Sequence, residues 1–311
     1  MNKYLLAGSF AYDTILLHSG KLESRILPEH VSNLNVAFGI HNVKDEFGGT
    51  AGNISYNSSL LKDKPLLIGV LGNDSEHYIK HLNNNELNHS TLTIFNEDKT
   101  PHAWLLTDSN NNQITSFFQG VMVNQADIPN ETPDLWHISP ENPRNMARMI
   151  KKAINEDKKY FFDPGQALPS LLEQTAEDII SLKDIIYHAT GLFTNEYEAE
   201  LLSSKLGTSI NELINKDAFI VRTLGSKGSE LFFNGEFIKI PVAIANNIVD
   251  PTGCGDAFRA GFIHFYLQNK PLIDCIKLGS VMGSFAIENS GGQNHKPSVE
   301  DIHHRYLKSY G

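Results

Sequence analysis

The sequence predicts an α/β fold: a mostly parallel sheet covered by helices on both faces, with a smaller β-sheet folded over a pocket. Two observations predict it. Short apolar runs recur between stretches of helical periodicity, which suits a central sheet buried on both faces. Two aromatic-containing segments then break that rhythm on either side of a glycine-rich stretch. The strand candidates are Leu66-Leu67-Ile68-Gly69-Val70, Trp136-His137-Ile138-Ser139, Tyr160-Phe161-Phe162, Asp184-Ile185-Ile186-Tyr187 and Phe219-Ile220-Val221. Helical patterns occupy 145–155, 168–180 and 196–206. The apolar stretch 4–11 is expected as a first strand, and Asp13 follows at its end.

The segments that break the rhythm are His102-Ala103-Trp104-Leu105-Leu106 and Gln113-Ile114-Thr115-Ser116-Phe117-Phe118, joined by an Asn110-Asn111-Asn112 turn, with a further segment at 13–45. Their alternation predicts antiparallel strands and hairpins. Residues 1–12, 46–91 and 123–311 are therefore assigned to the α/β body, and 13–45 and 92–122 to the small sheet.

Composition narrows the function. The chain has 311 residues, 41% hydrophobic and 20% charged, with a formal net charge of −10. That charge argues against a nucleic-acid or acidic-membrane surface, and an anionic ligand needs a local neutralising device. Nothing approaches a membrane span, and a cytoplasmic protein is expected. Cys254 and Cys275 are too few for a disulfide framework or a cysteine zinc site, and His303-His304 lacks a metal-ligand partner.

The most informative segment is Asp250-Pro251-Thr252-Gly253-Cys254-Gly255-Asp256-Ala257-Phe258-Arg259-Ala260-Gly261-Phe262. Residues 244–249 can end a strand, and 257–266 carry apolar residues at helical spacing. Gly253 and Gly255 thus stand at a helix start, where free N–H groups and the helix dipole form an anion site. Asp256 alone reads equally well as a cap or as a carboxylate placed to accept a proton from an attacking hydroxyl. No G-x-x-x-x-G-K-[ST] occurs, and the third glycine of a dinucleotide fingerprint is missing.

This run closely resembles the C-terminal signature of the ribokinase-like (PfkB-type) carbohydrate and nucleoside kinases. The resemblance implies a three-layer α/β/α domain with a β-sheet lid. It makes Asp256 the catalytic base and the amides of Gly253, Cys254 and Gly255 the anion hole. ATP and Mg²⁺ follow as cosubstrate and metal.

Other motifs fall in the family's order. In Phe47-Gly48-Gly49-Thr50-Ala51-Gly52-Asn53, two glycines form a tight loop before a helix. The resemblance makes Gly48, Gly49 and Asn53 contacts to substrate hydroxyls, and an amide both donates and accepts. It gives Asp13 two further hydroxyls. Asn195 and Glu198, a cap and a glutamate on one face of a helix start, match the element that organises Mg²⁺ and its waters. Thr223, Gly225 and Gly228, otherwise a hairpin turn, match the segment beneath the nucleotide, and Asn289 the loop beside adenine. Asp250 and Thr252 match residues that hold a monovalent cation such as K⁺ in several members.

Gly8-Ser9-x-Ala11-Tyr12-Asp13-Thr14-Ile15, Leu34-Asn35-Val36-Ala37-Phe38 and Ile287-Glu288-Asn289-x-Gly291-x-Gln293 look closest to bacterial adenosine kinase-like proteins. Phe38, Phe117 and Phe118 would suit a flat base. The expected reaction is ATP-dependent phosphorylation of a nucleoside CH2OH, adenosine first, giving AMP. A sugar kinase for ribose or fructose, a non-catalytic nucleoside or sugar sensor, and a dehydrogenase are the competing possibilities. Intact Asp256 disfavours the sensor. The late glycine motif disfavours the dehydrogenase. Either a monomer or a homodimer is compatible. One departure from ribokinases is Asp163-Pro164-Gly165, which replaces other proline-containing turns.

Overall fold

A computed structural model of the chain describes residues 4–24, 26, 35–110, 112–173 and 180–311. Along them run β1 (Leu5–Ala7), β2 (Ala11–Leu17), β3 (Asn42–Gly48), α1 (Thr50–Leu60), β4 (Leu66–Ile68), β5 (Val70–Leu71), α2 (Glu76–Asn84) and β6 (Thr93–Ile94). The hairpin β7 (His102–Thr107) and β8 (Gln113–Phe118) follows. Strand and helix then alternate as β9 (Leu135–Ile138), α3 (Pro143–Asn155), β10 (Lys159–Phe162), α4 (Leu168–Glu173), α5 (Leu182–His188), β11 (Gly191–Asn195), α6 (Glu196–Leu206), α7 (Ile210–Leu213) and β12 (Phe219–Thr223). The chain closes with β13 (Ser229–Phe233), β14 (Glu236–Ile240), α8 (Cys254–Tyr266), α9 (Leu272–Ala286) and α10 (Val299–Tyr310).

The main sheet has the order β14-β13-β12-β11-β10-β9-β1-β4, parallel from β12 to β4 and antiparallel at the β13–β14 edge. Its strands send successive side chains to opposite faces, and two cores result. Leu5, Ala7, Trp136, Ile138, Tyr160, Phe162, Leu192 and Ile220 meet the apolar stripes of α3, α5 and α6. Leu6, Leu67, Phe161, Phe193, Phe219 and Val221 meet α1, α2, α8 and α9. This is the three-layer α/β/α arrangement with a mostly parallel sheet.

A second sheet, β3-β2-β7-β8, stands apart. Its outer pairs are antiparallel, but its central pair β2–β7 is parallel, unlike the hairpin pattern expected. Asp13 belongs to this sheet. The apolar stretch expected as one strand breaks at Gly8, so Asp13 lies within β2 and not at the end of β1.

Three other expectations change. Asp184-Ile185-Ile186-Tyr187 is helical, within α5. Ser181 caps that helix by accepting from the Asp184 N–H (3.1 Å), and Ile185 and Ile186 face the core while Tyr187 is exposed. Residues 244–249 form no strand: Ile244 and Ile248 are exposed, and the Val249 N–H donates to the Ile287 carbonyl across a loop. The 66–70 run divides at Gly69, where a Cβ would stand 2.7 Å from the Gly8 carbonyl oxygen. Residues 174–179 of the predicted 168–180 helix, together with Asn111 and Leu34, lie outside the described residues. Among those described, no helix is long and apolar enough to cross a membrane.

Candidate functional site

The candidate residues collect where the parallel strands end. Ser9 follows β1, Asp163 follows β10, and Asn195 and Thr223 are register partners closing β11 and β12. Open α/β sheets place ligands along this edge.

Ser9 builds the first wall. Its Oγ accepts from the Thr50 N–H (3.0 Å) and its carbonyl accepts from the Ala51 N–H (3.0 Å), so it caps α1 in place of a local cap residue. Gly49 turns the chain at φ +81, and a Cβ there would lie 2.5 Å from the Ser9 carbonyl. At Gly48 a Cβ would fall 2.2 Å from Asp13 Oδ2. The glycine pair therefore lets the loop close onto the carboxylate. Burial, then the nearby Glu46, pushes the Asp13 carboxyl up to about 6.

Opposite stands the start of α8. Gly253 takes φ +75, which only glycine adopts cheaply, and the Ala257 N–H makes the first helical bond to its carbonyl. Of the amides expected to form the anion hole, that of Cys254 instead donates to the Pro251 carbonyl (3.2 Å), while the Gly255 amide, with that of Asp256 beside it, precedes the first helical bond and has no intrahelical acceptor. A Cβ on Gly253 would sit 2.6 Å from Gly292 Cα, so the 250–253 and 288–293 loops pack backbone to backbone. Asp250 ties them together, accepting from the Thr252 N–H at Oδ1 and from the Gly291 N–H at Oδ2, both 2.9 Å.

Asp256 faces Asn53, whose Nδ2 donates to its Oδ2 at 2.8 Å. Burial pushes the Asp256 carboxyl up to about 7. The Asn53 bond and the Arg259 charge oppose that rise, while Asp163 and Asp13 add to it. The result is a carboxylate able to take a proton near neutral pH.

Beneath Asp256, Arg259 is buried one helical turn along α8. Its Nε and Nη2 donate to Asp163 Oδ2 and Oδ1 (2.8 and 3.1 Å), and Nη1 donates to the Gly255 carbonyl (3.2 Å). The guanidinium thus fastens the glycine-rich turn to the end of β10. His137 lies 3.8 Å from Asp163 and is buried without a hydrogen bond; burial holds it down at about 4, so it is neutral. The charge of Asp163 is balanced by Arg259.

Asn195 and Glu198 form a reciprocal capping box at α6. Asn195 Oδ1 accepts from the Glu198 N–H (2.8 Å), and Glu198 accepts from the Asn195 N–H and Nδ2 (2.9 and 2.8 Å). Burial, and then Asp163, raise the Glu198 carboxyl. Gly225 and Gly228 make the β12–β13 turn, and the Gly228 backbone comes so close to Ile240 that a Cβ would meet its carbonyl at 2.2 Å. Asn289 closes α9, donating Nδ2 to the Phe285 carbonyl (3.2 Å).

The structure therefore brings Asp13, Gly48, Gly49 and Asn53 together with Asp256, and Asp250 and Thr252 with the 288–293 loop. Four participants receive no site role from sequence reasoning: Arg259, Asp163, Gln293 and Tyr78. Arg259 left one usable signal, a charged residue on the apolar stripe of a helix, which burial permits only when paired. Of the three aromatics expected over the pocket, Phe117 alone shares a sheet face with Asp13 by strand register. The row runs Glu46, Asp13, Ala103, Phe117, and Phe118 projects from the other face. Phe38 packs edge-on against His18.

Comparison with known proteins gives a consistent set of similarities. Residues 27–299 match the pfkB family carbohydrate kinase domain. A nucleoside kinase of Methanocaldococcus jannaschii is 32% identical over 278 residues, covering 88% of this chain and 90% of that protein. A ribokinase of Dictyostelium discoideum is 26% identical over 284 residues, covering 84% and 89%. The structure of Burkholderia thailandensis nucleoside kinase in complex with inosine superposes with a TM-score of 0.86 at 29% identity, covering 99% of this chain and 98% of that one.

Proposed function

The chain belongs to the pfkB family of carbohydrate kinases, phosphotransferases with an alcohol acceptor, and we propose that its acceptor is the CH2OH of a nucleoside, adenosine first, with AMP and ADP as products. The observation that carries this is the row across the small sheet. Asp13 offers a carboxylate for vicinal ribose hydroxyls, and Phe117 lies two strands away on the same face. Two strand spacings make roughly 10 Å, the span of a ribose and its base. The inosine complex of the Burkholderia thailandensis relative supports a purine nucleoside.

In this proposal Asp256 accepts the proton of the attacking hydroxyl, held as an acceptor by the Asn53 amide. The open amides at the start of α8 receive the negative charge gathering on the transferred phosphoryl group. Arg259, anchored on Asp163, keeps the Gly255 turn in register with the base. On substrate binding the small sheet would close over the site and exclude water, limiting ATP hydrolysis. Thr223, Gly225, Gly228 and Asn289 line the nucleotide side.

Both Glu198 oxygens keep lone pairs beyond their capping bonds and fit water-mediated contact to Mg²⁺. Among the described residues no three His, Cys, Asp or Glu side chains gather in a metal-holding cluster, so the fit is to an ion carried mainly by phosphate oxygens and water. Such an ion would neutralise charge between the phosphates. Asp250 and Thr252 fit a K⁺ site at the junction of their loop with 288–293.

An ADP-release panel of adenosine, inosine, pyrimidine nucleosides, ribose, fructose and fructose phosphates, with and without K⁺, tests the proposal. Nucleosides should exceed the sugars in kcat/KM by at least about tenfold, a difference of ~1.4 kcal/mol. A preference for ribose, as the Dictyostelium discoideum relative would suggest, would overturn it.

A further inference from the structure

We infer that Gln293 and Tyr78 are positioning residues: they fix which end of the Asn53 amide faces Asp256, and so hold that carboxylate in its proton-accepting form. The inference rests on the base role proposed for Asp256, but its geometry stands separately.

The chain of bonds starts at Tyr78, buried on α2. Its hydroxyl donates to the Gly48 carbonyl at 2.7 Å. A phenol has one proton, so the Tyr78 oxygen is left as an acceptor only. The group it meets is Gln293 Nε2, at 3.3 Å. Gln293 is 5% exposed and has little room for another arrangement. The same Nε2 donates its second proton to Asn53 Oδ1 at 2.9 Å, and Gln293 Oε1 is satisfied by His81 Nε2 at 2.8 Å.

With its oxygen occupied, Asn53 turns its NH2 toward Asp256 Oδ2. Asn and Gln oxygens and nitrogens are normally assigned from such networks, and here a single proton on Tyr78 forces every later choice. Reversed at any link, the chain would set two lone pairs against each other in a buried space. His81 ends the chain on the small sheet, stacked on Phe47 of β3 with centroids 3.8 Å apart.

Local packing protects the arrangement. A Cβ at Gly52 would lie 2.0 Å from the Tyr78 hydroxyl, and one at Gly292 would lie 2.7 Å from Asn53 Oδ1. The Asn53 bond is also the largest influence lowering the Asp256 carboxyl against burial. The other groups that Asp256 feels are Arg259 and Cys254 on α8, Asp163 beyond β10 and Asp13 on β2. His81 in turn faces His77 and Lys296. None of these changes in the variants below.

The test titrates Asp256 directly, by the carboxyl ¹³C signals of aspartate-labelled free protein, assigned with Asp256→Asn. Gln293→Met, of similar length and no charge, should raise the Asp256 midpoint by roughly one pH unit, and Tyr78→Phe should move it the same way with almost no change of shape. Asn53→Leu should raise it as well, and adding Gln293→Met to Asn53→Leu should then do nothing further. In turnover, the acid limb of the kcat/KM profile should shift by the same amount in Gln293→Met, with kcat at alkaline pH recovering most of the wild-type value. An unmoved midpoint in both Gln293→Met and Tyr78→Phe would overturn the inference. So would an equal shift with and without Asn53, since the effect would not pass through that amide. If the midpoints move as expected while wild-type protein phosphorylates no alcohol, the kinase proposal fails and the positioning of Asp256 stands.

Discussion

Replacing Asp163 by Asn removes the one carboxylate that ion-pairs directly with buried Arg259 and leaves it only the less direct charges of Glu198 and Asp256. The pair is bidentate, and its side chains are only 2% and 9% exposed, so water cannot replace the lost carboxylate. Breaking such a pair from one side costs about 3–5 kcal/mol. Unfolding entropy of about 2.1 cal/mol/K per residue over 311 residues makes that a fall in Tm of about 5–8 °C. Activity should fall further than stability alone explains, because Arg259 Nη1 also holds the Gly255 carbonyl beside the open amides of α8. Differential scanning calorimetry gives the first quantity, and initial rates well below Tm give the second. The double change Asp163→Leu with Arg259→Met removes both charges and should regain most of the Tm while activity stays low. A Tm drop below about 1 °C in Asp163→Asn, with turnover unchanged, would refute the anchoring role.

Two further outcomes follow from the site. With Asp256 raised to about 7 and Asp13 to about 6 by burial, protonation disables the base first and the hydroxyl acceptor second. The kcat/KM profile should therefore be flat above about pH 8, fall as pH drops through 7, and steepen below 6; a profile flat down to pH 5 would contradict both assignments. Phe117→Ala should raise KM for nucleosides about tenfold through lost stacking, ~1.4 kcal/mol, with little change in kcat, whereas an equal loss with ribose would show that the ring does not meet a base.

How legible the site is in the sequence depends on how far its parts lie apart along the chain. The 250–262 run carries its own meaning, because a strained glycine turn, a helix start and a carboxylate are consecutive there. Asn53 and Asp256 are 203 residues apart, Gln293 and Asn53 are 240 apart, and Arg259 and Asp163 are 96 apart. Nothing local distinguishes a glutamine that sets an amide's orientation from one at the surface. Asp184-Ile185-Ile186-Tyr187 is mistaken for a strand because four apolar-rich residues have no period of their own. The better signal was Ser181 followed at the third helical position by Asp184, an N-cap pattern. Asp13 is assigned to the wrong strand, since the break at Gly8 depends on packing: a Cβ there would lie 2.0 Å from Ser139 Oγ.

The base proposed to deprotonate the acceptor hydroxyl is Asp256, and its own substitution tests that role most directly. Asp256→Asn keeps the size of the side chain and loses the proton-accepting charge, and ADP release with adenosine at pH 8 measures the consequence. kcat should fall by about 10²–10⁴-fold, with ATP affinity by calorimetry close to that of the wild type. Turnover equal to the wild type would contradict that role.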